Sequence, residues 1–175
     1  MDRKLHIGGT TAHAEWEILN ANNAPYVDHA CNASDLSCFE NDTFEAIYAS
    51  HVVEHFDYIG PLGATLAEWL RVLKPGGKIY ISVPNLDILA NILLMKDFYS
   101  IDERYQAMRM IFGGHVDQYD YHGVGLNLEF LSHFLIEAGY TNIQKVDEFG
   151  IFDDTSSFKL KGVPISLNVI AEKPL

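Results

Sequence analysis

Phe44-Glu45-Ala46-Ile47-Tyr48-Ala49-Ser50-His51-Val52-Val53-Glu54-His55 opens the stretch that decides the fold, which runs on to Pro84. The turn residues Asn41-Asp42-Thr43 precede it, and 44–49 is rich in strand formers. Leu62, Leu66, Trp69, Leu70 and Leu73 then recur at spacings of three and four, which predicts a helix over 62–73. Lys74-Pro75-Gly76-Gly77 ends that helix, because proline cannot continue it and glycine supplies the turn. Lys78 to Val83 reads as a buried strand. Strand, helix, stop and strand make one βαβ unit, the building block of parallel sheets covered by helices.

The rest of the chain extends this unit into one α/β domain over 1–175. Lys4 to Ile7 predicts a short strand that ends in Gly8-Gly9-Thr10-Thr11. Trp16 to Leu19 predicts a second strand and Tyr26-Val27 a third, with turn residues 20–25 between them. About ten residues separate the first two strands, too few for a full crossover helix with its turns, so the first helix is expected to be reduced or missing. Helices are expected over Asp87–Met95, Ile101–Phe112 and Leu128–Ala138, the last stopped by Gly139. Strands are expected over Thr141–Phe149 and Ile165–Ala171. Residues 87–124 read as an insertion that contributes to an acceptor site.

Composition narrows the class. With 48% hydrophobic and 21% charged residues, the chain is ordinary for a globular protein. No apolar run is long enough to span a bilayer, and the first residues hold no apolar stretch of signal-peptide length, so a cytoplasmic protein is expected. The two cysteines, Cys31 and Cys38, lack the paired spacing of a zinc site and read as free thiols. Twelve Lys and Arg against 24 Asp and Glu leave a net charge of −12. That balance argues against nucleic acid and anionic membranes as partners and favours a neutral or cationic acceptor.

Residues 44–55 resemble the fourth strand and following turn of methyltransferase type 11 domains. Leu70-Arg71-Val72-Leu73-Lys74-Pro75-Gly76-Gly77-Lys78 resembles the helix end and turn before their fifth strand. Ile111-Phe112-Gly113-Gly114-His115, Tyr119-Asp120-Tyr121-His122 and Ile165-Ser166-Leu167-Asn168-Val169 resemble a predicted glycan-associated subgroup of S-adenosyl-L-methionine (SAM) dependent methyltransferases. The resemblance covers essentially the whole chain. It implies the Rossmann-like class I fold, a mostly parallel seven-stranded sheet in the order 3-2-1-4-5-7-6 with strand 7 antiparallel. It also implies SAM as cofactor and a saccharide or related small molecule as acceptor.

The same resemblance distributes the site residues. Gly8 and Gly9 match the first loop, where a side chain would block close backbone approach; the family's third glycine is absent and Thr10 stands near its place. Asn20 stands where the family has an acidic residue for the ribose hydroxyls; an amide oxygen still accepts, without the strength of a charge. Asp35 and Leu36 match the pair that reads adenine, and Ser50 and His51 follow the fourth strand beneath the sulfonium.

Methyl transfer to a hydroxyl needs alignment and a base, and histidine suits neutral pH. Of eight histidines, His55, His115 and His122 are the candidates for that base. Asp117, Tyr119 and Asp120 are candidates for hydrogen bonds to the acceptor. No tight ligand pattern such as His-Glu-x-x-His occurs, so no metal is assigned. The expected function is O-methylation of a saccharide in glycan assembly, by a chain that could pair as a homodimer. The alternative is a methyltransferase-like scaffold module with little or no activity, in keeping with the sparse glycine loop and Asn20.

Overall fold

The computed structural model describes residues 3–175. Nine strands and four helices follow one another as β1 (Arg3–Ile7), β2 (Glu17–Asn20), β3 (His29–Ala30), β4 (Phe44–Ser50), α1 (Pro61–Val72), β5 (Leu73–Pro84), α2 (Leu86–Leu94), α3 (Ile101–Phe112), α4 (Leu128–Ala138), β6 (Thr141–Val146), β7 (Lys159–Leu160), β8 (Val163–Pro164) and β9 (Ser166–Glu172). Seven of the strands form one sheet in the order β3-β2-β1-β4-β5-β9-β6. β1 to β5 run parallel, and β9 is antiparallel to both β5 and β6. This is the expected mixed sheet with its single reversed strand. The first helix is missing, as its short connection predicts: residues 8–16 join β1 to β2 without one.

Four local readings change. The third strand is His29–Ala30, not Tyr26-Val27. The Val27 N–H closes a turn on the Ala24 carbonyl, and Asp28 grips β2 by accepting the Ile18 N–H at 2.7 Å, so pairing starts only beyond it. The Lys74–Gly77 stop belongs to β5, which begins directly at the end of α1. A bulge absorbs the extra residues, since Phe44 pairs with Leu73 while Ala46 pairs with Lys78. Gly77 is needed there, because a Cβ would meet the Glu45 carbonyl at 2.9 Å. Strand β6 stops at Val146, and Phe149 turns back over the sheet. A small hairpin of β7 and β8, joined through the positive-φ residues Lys161 and Gly162, had no expectation.

Alternation gives the sheet two unlike faces. Leu5, Ile47, Ile81 and Val169 face α1 and α4, whose Leu66, Trp69 and Leu135 complete a fully buried core. His6, Tyr48, Ser82 and Asn168 alternate with them and face the other way. Right-handed crossovers would place the β1–β2 and β2–β3 helices on that second face, but those connections hold no helix. The segment after β6 covers it instead. Phe149, Ile151 and Phe152 pack on Trp16, Ala46 and Tyr48, and the Tyr48 hydroxyl donates to Asp154 at 2.8 Å. The Asn168 amide donates to the Asp147 and Ser156 carbonyls, which pins both ends of the cover.

Helices α2 and α3 lie between β5 and α4 and pack on each other. The segment returns to its start: Asn85 and Leu126 form a parallel bridge, and the Leu86 N–H bonds the Leu126 carbonyl. On its way back the Gly123 N–H bonds the Glu54 carbonyl at 2.8 Å. Residues 113–125 are thereby placed against the loop that leaves β4.

Candidate active site at the switch point

The strand order reverses between β1 and β4, so the loops leaving their carboxyl ends diverge and open a crevice for ligands. Gly8 sits at that point with φ of 79°. A Cβ on it would meet Val52 Cγ2 at 2.6 Å, so the β1 and β4 loops touch there and only glycine fits. Gly9 is as tightly held, with His6 Nδ1 at 2.9 Å from where its Cβ would be. Burial lowers the His6 pKa to about 4, so this imidazole is neutral beneath the loop.

The expected cofactor residues divide into two groups. Ser50 and His51 end β4 at the crevice, and the Ser50 hydroxyl is buried without a hydrogen-bond partner. His51 adopts φ of 54°, a left-handed conformation that turns the chain sharply out of the strand. Asn20, by contrast, is engaged within the protein at both ends of its amide. It donates to the Gly9 carbonyl at 3.0 Å and accepts the Asn22 N–H at 2.9 Å. Leu36 is fully buried and packs into the core. Asp35 is exposed and accepts the Ser37 N–H, which holds its carboxyl below the usual range. The Gly8 turn would allow a ligand such as SAM to approach the backbone closely. The residues present offer less at the ribose.

Beside the crevice lies an open cavity of about 440 Å³ whose lining includes His51, Arg109, Asp120, His122 and Thr155. Three expected acceptor-side residues separate here. Asp120 and His122 line the cavity, whereas Asp117 and Tyr119 form an exposed turn closed by the Tyr119 N–H on the Asp117 carboxylate at 2.7 Å. Burial works against the Asp120 charge, but the N–H groups of Val116 and Gly114 hold its carboxyl below the usual range. Gly113 and Gly114 let the loop press against Asp120, which would collide with a Cβ on either.

The three candidate bases also separate. His115 stacks on Tyr121 with centroids 4.0 Å apart and bonds the Phe112 carbonyl through Nε2 at 2.8 Å. His55 and His122 meet edge to face at 4.9 Å. Burial lowers the His122 pKa, with the nearby Glu54 charge opposing, so the ring favours its neutral form. Glu54 is 1% exposed and sits between them; neither of its carboxylate oxygens has a hydrogen-bond donor. Glu54, His55 and His122 each offer one ligand atom, and these atoms lie within 4.8 Å of one another.

Residues 10–81 match the sequence model of the methyltransferase domain. Solved structures agree over the whole chain. A SAM-dependent methyltransferase from Archaeoglobus fulgidus superposes with TM-score 0.62 at 16% identity, over 98% of this chain and 86% of that one. The fold is that of a class I methyltransferase. A possible exported protein from Bordetella parapertussis is similar at TM-score 0.61 and 12% identity, over 99% of this chain and 62% of that one. Human N-acetylserotonin methyltransferase, solved in complex with SAM, is similar at TM-score 0.56 and 12% identity, over 98% of this chain and 48% of that one. The chain thus spans less than two thirds of the Bordetella protein and about half of the human enzyme. No curated protein sequence matches it. No helix among the described residues is long and apolar enough to cross a membrane.

The sequence named His55 and His122 but not the residues that make them a site. Glu54 adjoins His55 in the chain, but nothing in the local sequence marked it as buried and without a hydrogen-bond partner. Arg109, Thr155 and Ser166 come from distant segments, and no local pattern marks them.

Proposed function

We propose that the chain is a SAM-dependent O-methyltransferase whose acceptor is a saccharide or a similar polyhydroxylated small molecule. The observation that carries this reading is the cavity lined by His51, Arg109, Asp120 and His122, just beyond the end of β4. SAM, when bound, supplies a methyl group on a sulfonium. The chain supplies position and proton transfer. The acceptor lies in the cavity, where Asp120 accepts and Arg109 donates hydrogen bonds to its hydroxyls. The reacting hydroxyl faces the Glu54–His55–His122 cluster, which removes its proton. As the new O–C bond forms, the C–S bond breaks and the electron pair leaves with neutral S-adenosylhomocysteine. The net charge of −12 favours an uncharged acceptor over a nucleic acid.

Calorimetry with SAM and S-adenosylhomocysteine is the first test, and micromolar binding is expected. Labelled SAM with a panel of sugar acceptors is the second. His122→Ala should lower turnover at least a hundredfold while leaving S-adenosylhomocysteine affinity within twofold. Absence of binding at millimolar ligand would overturn the enzyme reading. The second reading, a methyltransferase-like scaffold without turnover, is favoured by Asn20, whose amide is already engaged at both ends. Full activity of the His122→Ala variant would remove the base assignment and leave the cofactor site standing.

A further inference from the structure

A buried carboxylate normally accepts several hydrogen bonds; Glu54 accepts none. Three imidazoles surround it, and the way each is tied decides what they offer. Ser166 Oγ donates to the Thr155 carbonyl at 2.9 Å, so its bond of 2.9 Å to His51 Nε2 takes the proton from His51. His51 Nδ1 lies 3.3 Å from Glu54 Oε1 without making a hydrogen bond to it. His55 Nδ1 can only donate to the Tyr121 carbonyl, at 3.1 Å, which leaves the Nε2 lone pair free. His122 meets the His55 ring edge to face at 4.9 Å. The centre of the cluster is therefore a buried carboxylate that no hydrogen-bond donor reaches, beside the free Nε2 of His55. That arrangement is complementary to a cation.

We propose that Glu54, His55 and His122 hold a divalent first-row transition metal of the zinc or cobalt type. Two imidazoles and one carboxylate are a donor set that such ions take, and they leave coordination positions open. The ligand atoms already lie within 4.8 Å of one another. The Tyr121 carbonyl fixes the His55 ring from behind, as the outer partners of metal-bound histidines do. The ligands come from two chain segments, the turn after β4 and the end of the 113–125 loop, which the Gly123 N–H to Glu54 carbonyl bond holds together. His122 also lines the proposed acceptor cavity, which puts the cluster at its edge. This rests on the proposed methyl transfer and replaces the base role of the cluster: with the ion bound, Glu54, His55 and His122 would be ligands, an acceptor hydroxyl would complete the coordination, and the ion would lower its pKa so that the proton is lost to solvent.

The test uses the whole chain, first dialysed against a chelator, with Co²⁺ as probe. One Co²⁺ per chain is expected, with visible d–d absorption, displaced stoichiometrically by Zn²⁺. Glu54→Gln and, independently, His55→Ala should each weaken binding at least tenfold. Circular dichroism and a thermal melt confirm that each variant is folded, and His55 is partly exposed, so its variant guards against a folding failure at Glu54. No Co²⁺ spectrum in the native chain at millimolar metal would overturn the proposal, as would unchanged affinity in both folded variants. Metal binding is read without cofactor or acceptor. Cobalt binding in a chain that ignores S-adenosylhomocysteine keeps the metal site and removes the methyl-transfer reading. The reverse result removes only the metal.

Discussion

Buried ionisable residues carry the sharpest consequences at the scale of single side chains. Glu54 and His6 are both enclosed, but the surrounding polar groups differ. His6 is 8% exposed, and its environment favours the neutral ring. Its pKa falls from 6.5 to about 4, chiefly by burial. Below pH 6.5 the unfolded chain binds a proton that the folded chain refuses until about pH 4. Stability therefore falls as pH drops through that window, by on the order of 3 kcal/mol for the full shift. His6→Gln should flatten this acid limb, as read by urea midpoints at pH 7, 5.5 and 4.5; an unchanged slope would show that His6 is not its source. Gly8→Ala acts differently. Its methyl group would strike Val52 while the backbone stays at positive φ, so a loss of roughly 2 kcal/mol is expected, together with weaker S-adenosylhomocysteine binding. A thermal melt and calorimetry on the same variant check both effects.

Two features dominate at the scale of elements. Helix α3 begins with a full capping box, in which Ser100 Oγ accepts the Glu103 N–H and Glu103 accepts the Ser100 N–H at 2.8 Å. Ser100→Ala should cost about 1 kcal/mol, or about 2–4 °C in melting temperature. The second feature is the cover formed after β6. With no α-helix from the β1–β2 and β2–β3 connections on that face among the described residues, Phe149, Ile151 and Phe152 cover it from a short segment that ends in a single 3-10 turn at Thr155–Ser157. Phe152 touches His6, Trp16 and Tyr48 at centroid distances of 4.2, 5.5 and 4.7 Å. Phe152→Ala should destabilise by roughly 2 kcal/mol and speed amide exchange in residues 149–158 more than in α1. Uniform exchange across the chain would show that the cover is not a separate cooperative unit.

For the whole molecule, charge and topology act together. A surface of net charge −12 should keep the chain off duplex DNA at about 0.15 M salt, and a filter-binding assay with labelled duplex reads this directly. Retention of DNA would redirect the search for the acceptor. Local patterns were enough for much of the architecture, because helix and strand periodicities and a short β1–β2 connection are properties of neighbouring residues. Leu62 to Leu73 marked α1, short apolar or β-rich runs marked β1, β4 and β9, and the ten-residue gap marked the missing helix. Tyr26-Val27 misled, since two β-formers cannot outweigh the hydrogen bonds that Asp28 makes to β2. The chemistry-bearing residue types were also visible, His55 and His122 among them. Tertiary structure alone decided how they divide. It turned Asn20 inward onto Gly9, sealed Leu36 in the core, and stacked His115 on Tyr121. It also brought His122, 67 positions along the chain, against His55 and an unpartnered Glu54. The sequence by itself determined the layers and the order of the elements, since these follow from short-range propensity and hydrophobic period. The identity of the site was left to the fold, because burial and hydrogen-bond partners come from segments that no local pattern connects.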